Sequence, residues 1–165
     1  MARRSGLIST AVLVAAALVS PAGSMSAANG QSPCKLATRA QVKAAFGGTV
    51  GAGKVDNSIP GAPTCHFDIK GSNLGMSGSA VVFITPGQTA ATFALAKKIV
   101  PGAVTVSGVG NGAFYNPHTT SIELIKGATV ASAQALFYNP GGPQASAAKI
   151  KADVIALAKS VAKNI

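Results

Sequence analysis

The chain has no tryptophan, only two cysteines and only four acidic residues in 165. So few carboxylates leave little material for general acid–base catalysis or for metal binding by oxygen ligands. Charged residues reach only 11% and hydrophobic residues 48%, which excludes a disordered polar chain. The glycines follow no three-residue period and the charges no heptad spacing, which excludes collagen and a long coiled coil. What is present is a basic chain rich in glycine, with a net charge of +10.

The first 28 residues have the layout of a secretory signal peptide. Arg3-Arg4 is a short basic start, and Leu7 to Val19 is an apolar run followed by small residues. The run is shorter than the roughly 20 apolar residues that a membrane-spanning helix needs, so a transmembrane anchor is not predicted. The small residues Ser26-Ala27-Ala28 predict cleavage after Ala28, and Ser24-Met25-Ser26 is the alternative site.

A lipid anchor is not predicted either. A lipoprotein needs a cysteine directly after the apolar run, whereas Cys34 lies about fifteen residues beyond Val19 and follows Gln31-Ser32-Pro33. Loss of the leader would lower the net charge from +10 to +8. The expected organisation is a signal peptide at 1–28, a short segment at 29–33 and a single secreted domain at 34–165.

Two cysteines in an exported chain predict one disulfide, Cys34–Cys65. Metal binding and a catalytic thiol are alternatives, which a separation of 31 residues without a CxxC motif supports poorly. Chain-entropy arithmetic predicts that closing such a loop stabilises the fold by roughly 3.5 kcal/mol. Cys65 shares the inward face of a predicted strand with Phe67 and Ile69, so the bond should be at least partly buried.

Hydrophobic periodicity predicts an α+β fold. A capping box at Thr38 begins a helix over 39–46, and a second helix is predicted over 89–100. The best amphipathic helix runs from Pro143 to the C-terminus with its lysines on the outer side. We therefore expect a single antiparallel sheet of about five strands, with helices packed mainly on one face. The predicted strands are 65–70, 79–85, 103–107 (with an extension to Tyr115 as the alternative), 121–125 and 128–138, beside a brief strand at 49–50.

Three segments carry a resemblance to a known group of proteins. They are Pro33–Thr38 before a helix that ends in Phe46-Gly47-Gly48, then Cys65-His66-Phe67, and then Ser107–Phe114. Together they resemble the small extracytoplasmic domains of unknown function in actinobacterial secreted proteins and lipoproteins, across residues 33–165. Asn111-Gly112 stands where that pattern usually has an acidic residue. The lipid-bearing cysteine is missing, so the resemblance implies a soluble secreted form, and it transfers no catalytic role.

Motifs for enzyme chemistry are weak. Gly108–Gly112 has glycines like a nucleotide-binding loop, but Ala113–Tyr115 continues as a strand where that motif needs a helix. His66 and His118 stand without GxSxG, HxH or HExxH motifs, so neither a serine hydrolase nor a metal site is indicated. No catalytic, metal or cofactor-binding residue is therefore predicted.

The sequence favours a secreted, non-enzymatic binding or accessory module of the cell envelope or medium, acting without a cofactor. Scattered lysines, scarce arginine and few aromatics argue against a nucleic-acid partner. One alternative is a basic protein that adheres to anionic cell-wall polymers through its charge. The other is an unrecognised hydrolase that uses His66 or His118.

A ligand is expected near Tyr115, His118 and Tyr138. The two tyrosines are the only ones in the chain, and each precedes an Asn-Pro at the end of a predicted strand. Loops at strand ends often carry binding groups, and a tyrosine offers both a flat ring and a hydroxyl. The alternative is that both rings simply cover the edge of the sheet.

Overall fold

The computed structural model describes residues 31–59, 62–138 and 145–165. The predicted signal peptide with its cleavage site lies outside these residues, as does Pro143, where the last helix was predicted to begin.

Eight strands form a single antiparallel sheet in the described part of the chain. The strand order is β1-β3-β4-β8-β7-β6-β5, and β2 pairs with β3 beside β1. The long pair β4–β8 lies at the centre, in register from Ser77 opposite Tyr138 to Pro86 opposite Thr129. The strands are β1 Thr49–Val50, β2 Lys54–Asp56, β3 Thr64–Lys70, β4 Ser77–Pro86, β5 Val104–Thr105, β6 Gly112–Asn116, β7 Ser121–Lys126 and β8 Thr129–Tyr138.

The predicted α+β fold with one antiparallel sheet and a C-terminal helix is confirmed, but the prediction of about five strands was wrong. The strand predicted over 103–107 is only the two residues of β5, and the alternative extension to Tyr115 is a separate strand, β6, between β5 and β7. The other strand that the prediction lacked is β2, which has three residues and lies beside β1. β2 falls in a segment rich in glycine and proline, and it becomes a strand only because Val55 pairs with Cys65 of β3. Strands of two or three residues are too short to show a period-2 pattern, so the sequence alone does not reveal them.

Three α-helices and a short 3₁₀ turn, Pro33–Lys35, complete the described structure. They are α1 Arg39–Phe46, α2 Ala90–Ile99 and α3 Ala147–Asn164. The predicted capping box is present, because Thr38 Oγ1 accepts from the Gln41 N–H at 3.2 Å and Gln41 Oε1 accepts from the Thr38 N–H at 2.8 Å. The last helix begins after Ser146, whose hydroxyl accepts from the Lys149 N–H.

The main core lies between the sheet and the helices α1 and α3. The apolar stripe of α3 meets inward-facing side chains of β7 and β8. Phe46 of α1 packs against Phe137 of β8, with the two ring centres 5.4 Å apart. The Cys34–Cys65 disulfide is present and joins the 3₁₀ turn to β3, with Cys65 fully buried as predicted. Large side chains that are completely or almost completely buried here include Val42, Phe46, Phe67, Ile69, Ile122, Leu124, Leu157 and Val161.

The other face of the sheet is covered in part by α2. Phe114, Glu123 and Ser132 pair across β6, β7 and β8 and point to this face, away from α3. Phe93 of α2 packs against Phe114, with the two ring centres 5.3 Å apart, yet no residue of α2 is buried. Two of the three described helices therefore share the main core, while α2 rests on the opposite face.

Candidate functional site

Three lysines converge where α3 ends. Lys159 and Lys163 lie one helical turn apart, and Lys126 reaches the same place from the end of β7. Their side chains line an open cavity of about 400 Å³, which we call the lysine pocket. The remaining lining residues are Gly108, Gly110, Asn111 and Ala162.

The rim of the lysine pocket is a loop between β5 and β6 that the fold holds in place. Val109 is buried in the core and anchors the loop. Gly110 has a φ of +58°, and a Cβ at this position would meet the carbonyl oxygen of Ile125, so only glycine fits. Asn111 Oδ1 accepts from the Gly127 N–H at 2.8 Å. The rim is thus preorganised, which lowers the entropic cost of binding a ligand there.

The lysine pocket is lined by three lysines and by no acidic side chain, so its lining is positively charged. Lys126 Nζ donates to the Ala162 carbonyl at 2.9 Å and so caps the last turn of α3. Lys159 and Lys163 make no hydrogen bond to any residue that the structure describes. Like charges gathered in a concave surface focus the field and attract anions.

The four acidic side chains all lie elsewhere. Asp68 pairs with Lys54 at 2.9 Å on the β2–β3 edge, where Asp56 also lies. Asp153 pairs with Lys149 at 3.0 Å in the first turns of α3, and Glu123 faces the opposite side of the sheet. None of them can therefore neutralise the lysine pocket by direct contact.

A second cavity, of about 180 Å³, lies between α2 and the sheet. We call it the Glu123 cavity. Glu123 Oε1 accepts hydrogen bonds from the hydroxyls of Ser121 at 2.8 Å and Ser132 at 2.9 Å. Oε2 makes no hydrogen bond to any residue that the structure describes, and Glu123 is one of the residues that line the cavity. The other lining residues are Thr85, Gln88, Thr92, Phe93, Ala96, Phe114 and Val130.

Burial raises the pKa of Glu123 above its ordinary value, although the hydrogen bonds from Ser121 and Ser132 oppose the shift. A raised pKa in the folded state means that ionisation is less favourable there than in the unfolded chain. The contribution of Glu123 to stability is fully present below the pKa that this residue has in the unfolded chain. It is lost as the pH rises through the pKa of Glu123 in the folded protein. Ionisation of Glu123 therefore makes the fold less stable at neutral pH than it is with this carboxyl group protonated.

We expect Glu123→Gln to raise the midpoint of urea denaturation at neutral pH, because glutamine removes the buried charge. In acid the midpoint should stay unchanged, because glutamine keeps an acceptor oxygen for both serines. Denaturation curves between about pH 3 and pH 8 test this. Asp68→Asn is the control and should change stability in the opposite sense, because Lys54 lowers the pKa of that exposed carboxylate. Equal midpoints for the wild type and Glu123→Gln at neutral pH would contradict the expectation.

The two tyrosines of the predicted ligand site lie on opposite faces of the sheet. Tyr115 is buried on the α3 side of the sheet, where Lys151 Nζ lies 5.2 Å from its ring centre. Tyr138 is 73% exposed and points to the opposite face. His118 lies in the β6–β7 turn, with Nε2 at 3.0 Å from the Pro101 carbonyl. A role of these residues in ligand binding stays a prediction, and the two tyrosines would require two separate sites.

His66 is the histidine with the nearest approach to a catalytic arrangement. Its Nε2 lies 2.9 Å from Thr64 Oγ1 and 3.8 Å from Asp56 Oδ2. In a catalytic triad the hydroxyl and the carboxylate contact different ring nitrogens, whereas here both approach Nε2. Within the described ranges, no group of three or more histidine, cysteine, aspartate or glutamate residues could hold a metal ion.

Sequence patterns do not reveal either cavity. They place Lys159 and Lys163 on the outer side of the last helix and Lys126 in a turn, and only the sheet topology brings the three together. For Glu123 a signal exists, since it is the one acidic residue in a short, largely apolar strand and lies between Ile122 and Leu124. A lone acidic residue of this kind is a candidate for a buried carboxylate.

Comparison with known protein families, with characterised proteins and with solved structures gives no match to this chain. None of the helices that the structure describes is both long and apolar enough to cross a membrane. The function must therefore be inferred from the chemistry of the two cavities.

Proposed function

We propose that the protein is an exported, non-enzymatic binding module that holds anionic groups of the cell envelope or the medium in the lysine pocket. The observation that carries this proposal is the meeting of Lys126, Lys159 and Lys163 in one cavity that no carboxylate lines. Scattered surface lysines would explain solubility alone. Three lysines around a preorganised loop supply a defined place for a negative charge.

Export is supported by two independent features of the chain. The first 28 residues have the layout of a leader, and the Cys34–Cys65 disulfide is typical of proteins that fold in oxidising compartments. The net positive charge also suits a surface rich in anionic polymers, because long-range attraction raises the rate of encounter.

The ligand class follows from the donors in the lysine pocket. Lysine ammonium groups bind phosphate as point charges, with little demand on orientation. The pocket is open to solvent and measures about 400 Å³, so it admits a phosphate that is still attached to a sugar or polyol. We therefore infer that phosphodiester polymers of the envelope are the preferred ligands.

Titration of the purified protein with poly(glycerol phosphate) tests the proposal by calorimetry. Lys159→Gln with Lys163→Gln should weaken binding by about tenfold or more, since two charge-assisted contacts are lost. The matched control, Lys35→Gln with Lys43→Gln, removes the same charge from two exposed lysines outside the pocket and should have a much smaller effect. Equal losses in the two double variants would show that net charge alone drives binding.

Asn111→Asp offers a sharper variant of the same experiment. Aspartate keeps an oxygen that can accept from the Gly127 N–H, so the loop should hold its shape. It also places a carboxylate on the rim of the lysine pocket, which should weaken binding of poly(glycerol phosphate) without lowering thermal stability. Unchanged affinity in this variant would contradict the assignment of the site.

A further inference from the structure

We propose that the Glu123 cavity binds a small organic cation, a primary ammonium group with a short alkyl chain. This site is distinct from the lysine pocket, since it lies on the opposite face of the sheet and carries the opposite charge. It goes beyond the proposed function because it assigns a second ligand of a different chemical class.

The carboxylate of Glu123 supplies the anchor. Oε1 is occupied by the hydroxyls of Ser121 and Ser132, which hold the group in one orientation. Oε2 is left to accept from a ligand in the cavity. Glu123 is the only charged residue among those that line the cavity, so a cation there meets one fixed negative charge and no competing lysine.

The remaining walls favour an alkylammonium over a metal ion or water. Phe93 and Phe114 form an aromatic side with ring centres 5.3 Å apart, and Val130 and Ala96 add apolar surface. Aromatic rings attract organic cations through their negative faces, and apolar walls suit an alkyl chain. The other lining residues with side-chain oxygens are Thr85, Gln88 and Thr92, and Thr92 Oγ1 donates to Gln88 Oε1 at 3.2 Å. A hard metal ion prefers several oxygen ligands, with carboxylates among them, and the cavity offers a single carboxylate.

The size of the cavity limits the ligand to a few heavy atoms. Its volume of about 180 Å³ is well below the roughly 300–1,000 Å³ of pockets for drug-sized molecules. The helix α2 above it is attached at its ends, where Gln88 donates to the Ala128 carbonyl and Lys97 to Thr105 Oγ1, and none of its residues is buried. The cavity therefore lies under a helix that is held at both ends, and its size sets the limit on the ligand.

Titration with n-butylammonium chloride, followed by nuclear magnetic resonance, tests the proposal on the complete secreted chain. We expect saturable shifts of the Phe93, Phe114 and Glu123 amides. n-Butanol, which has a similar shape and no charge, should bind at least about tenfold more weakly, because it lacks the charge-assisted bond to the carboxylate. Equal affinity for the two probes would overturn the proposal.

Two variants separate charge from shape. Glu123→Gln removes the charge and keeps the cavity, and Ala96→Leu fills the cavity and keeps the charge; each should weaken n-butylammonium binding by about tenfold or more. Ala94→Leu adds the same side chain at a position of α2 that does not line the cavity, and it should leave binding unchanged. Binding that survives both Glu123→Gln and Ala96→Leu would refute the site. Should one variant fail to fold, the other still decides.

Failure of this proposal can be distinguished from failure of the proposed function. Lys159→Gln with Lys163→Gln should leave n-butylammonium binding intact, and Glu123→Gln should leave poly(glycerol phosphate) binding intact. If either variant lost binding of both n-butylammonium and poly(glycerol phosphate), the two sites would not be independent. This result would overturn the assignment of a separate cation site.

Discussion

Leu157→Ala is expected to lower the free energy of unfolding by about 3 kcal/mol, within the range measured for buried leucines. Leu157 is completely buried in the middle of α3, between Val154 and Val161 on the same stripe. This stripe covers the inward-facing side chains of β7 and β8, and truncation would leave a cavity at the centre of the main core. Since small domains are stable by only about 5–15 kcal/mol, the loss is a large part of the total.

Leu95→Ala is the matched control, because Leu95 also lies on a helix but is 60% exposed on α2. We expect a change of no more than about 0.5 kcal/mol, as for most surface substitutions. Urea denaturation followed by circular dichroism measures both variants, and an unchanged slope shows that both unfold in the same way. A similar loss for Leu95→Ala would mean that α2 is packed far more tightly than its exposure indicates.

Removal of the disulfide is expected to cost about 3.5 kcal/mol, because the unfolded chain regains the freedom of a 31-residue loop. The bond joins the 3₁₀ turn that precedes α1 to β3, next to the edge formed by β1 and β2. The double substitution Cys34→Ala, Cys65→Ala is the preferred variant. Alanine avoids a free thiol and does not bury a hydroxyl at Cys65, which is completely buried.

A reducing agent supplies the control for the disulfide. Reduction should lower the denaturation midpoint of the wild type towards that of the double variant and leave the variant itself unchanged. Poly(glycerol phosphate) affinity of the folded variant should not change, since the lysine pocket lies on α3, β7 and the β5–β6 loop. A double variant as stable as the wild type would show that β3 and the 3₁₀ turn are held together by packing alone.

Local chemistry was sufficient to predict the helices, the long strands and the disulfide. The Thr38 capping box and the glycines after Phe46 define α1 within a few neighbouring residues, and the structure has the same bounds. The alternation in 65–70 predicts both β3 and the inward direction of Cys65. These features depend on interactions between residues that are close in sequence, or on the only possible pairing of two cysteines, so they can be inferred without knowledge of the fold.

The edge strands and both cavities depended on contacts between distant parts of the chain. β2 exists because β3 offers an unpaired edge, and the two tyrosines separate because their strands present them to opposite faces. The lysine pocket needs the end of α3 beside β7, and the Glu123 cavity needs α2 to lie over β6, β7 and β8. A charge pattern along one helix or strand reveals which side chains are available, but the packing of the helices on the sheet decides which of them meet.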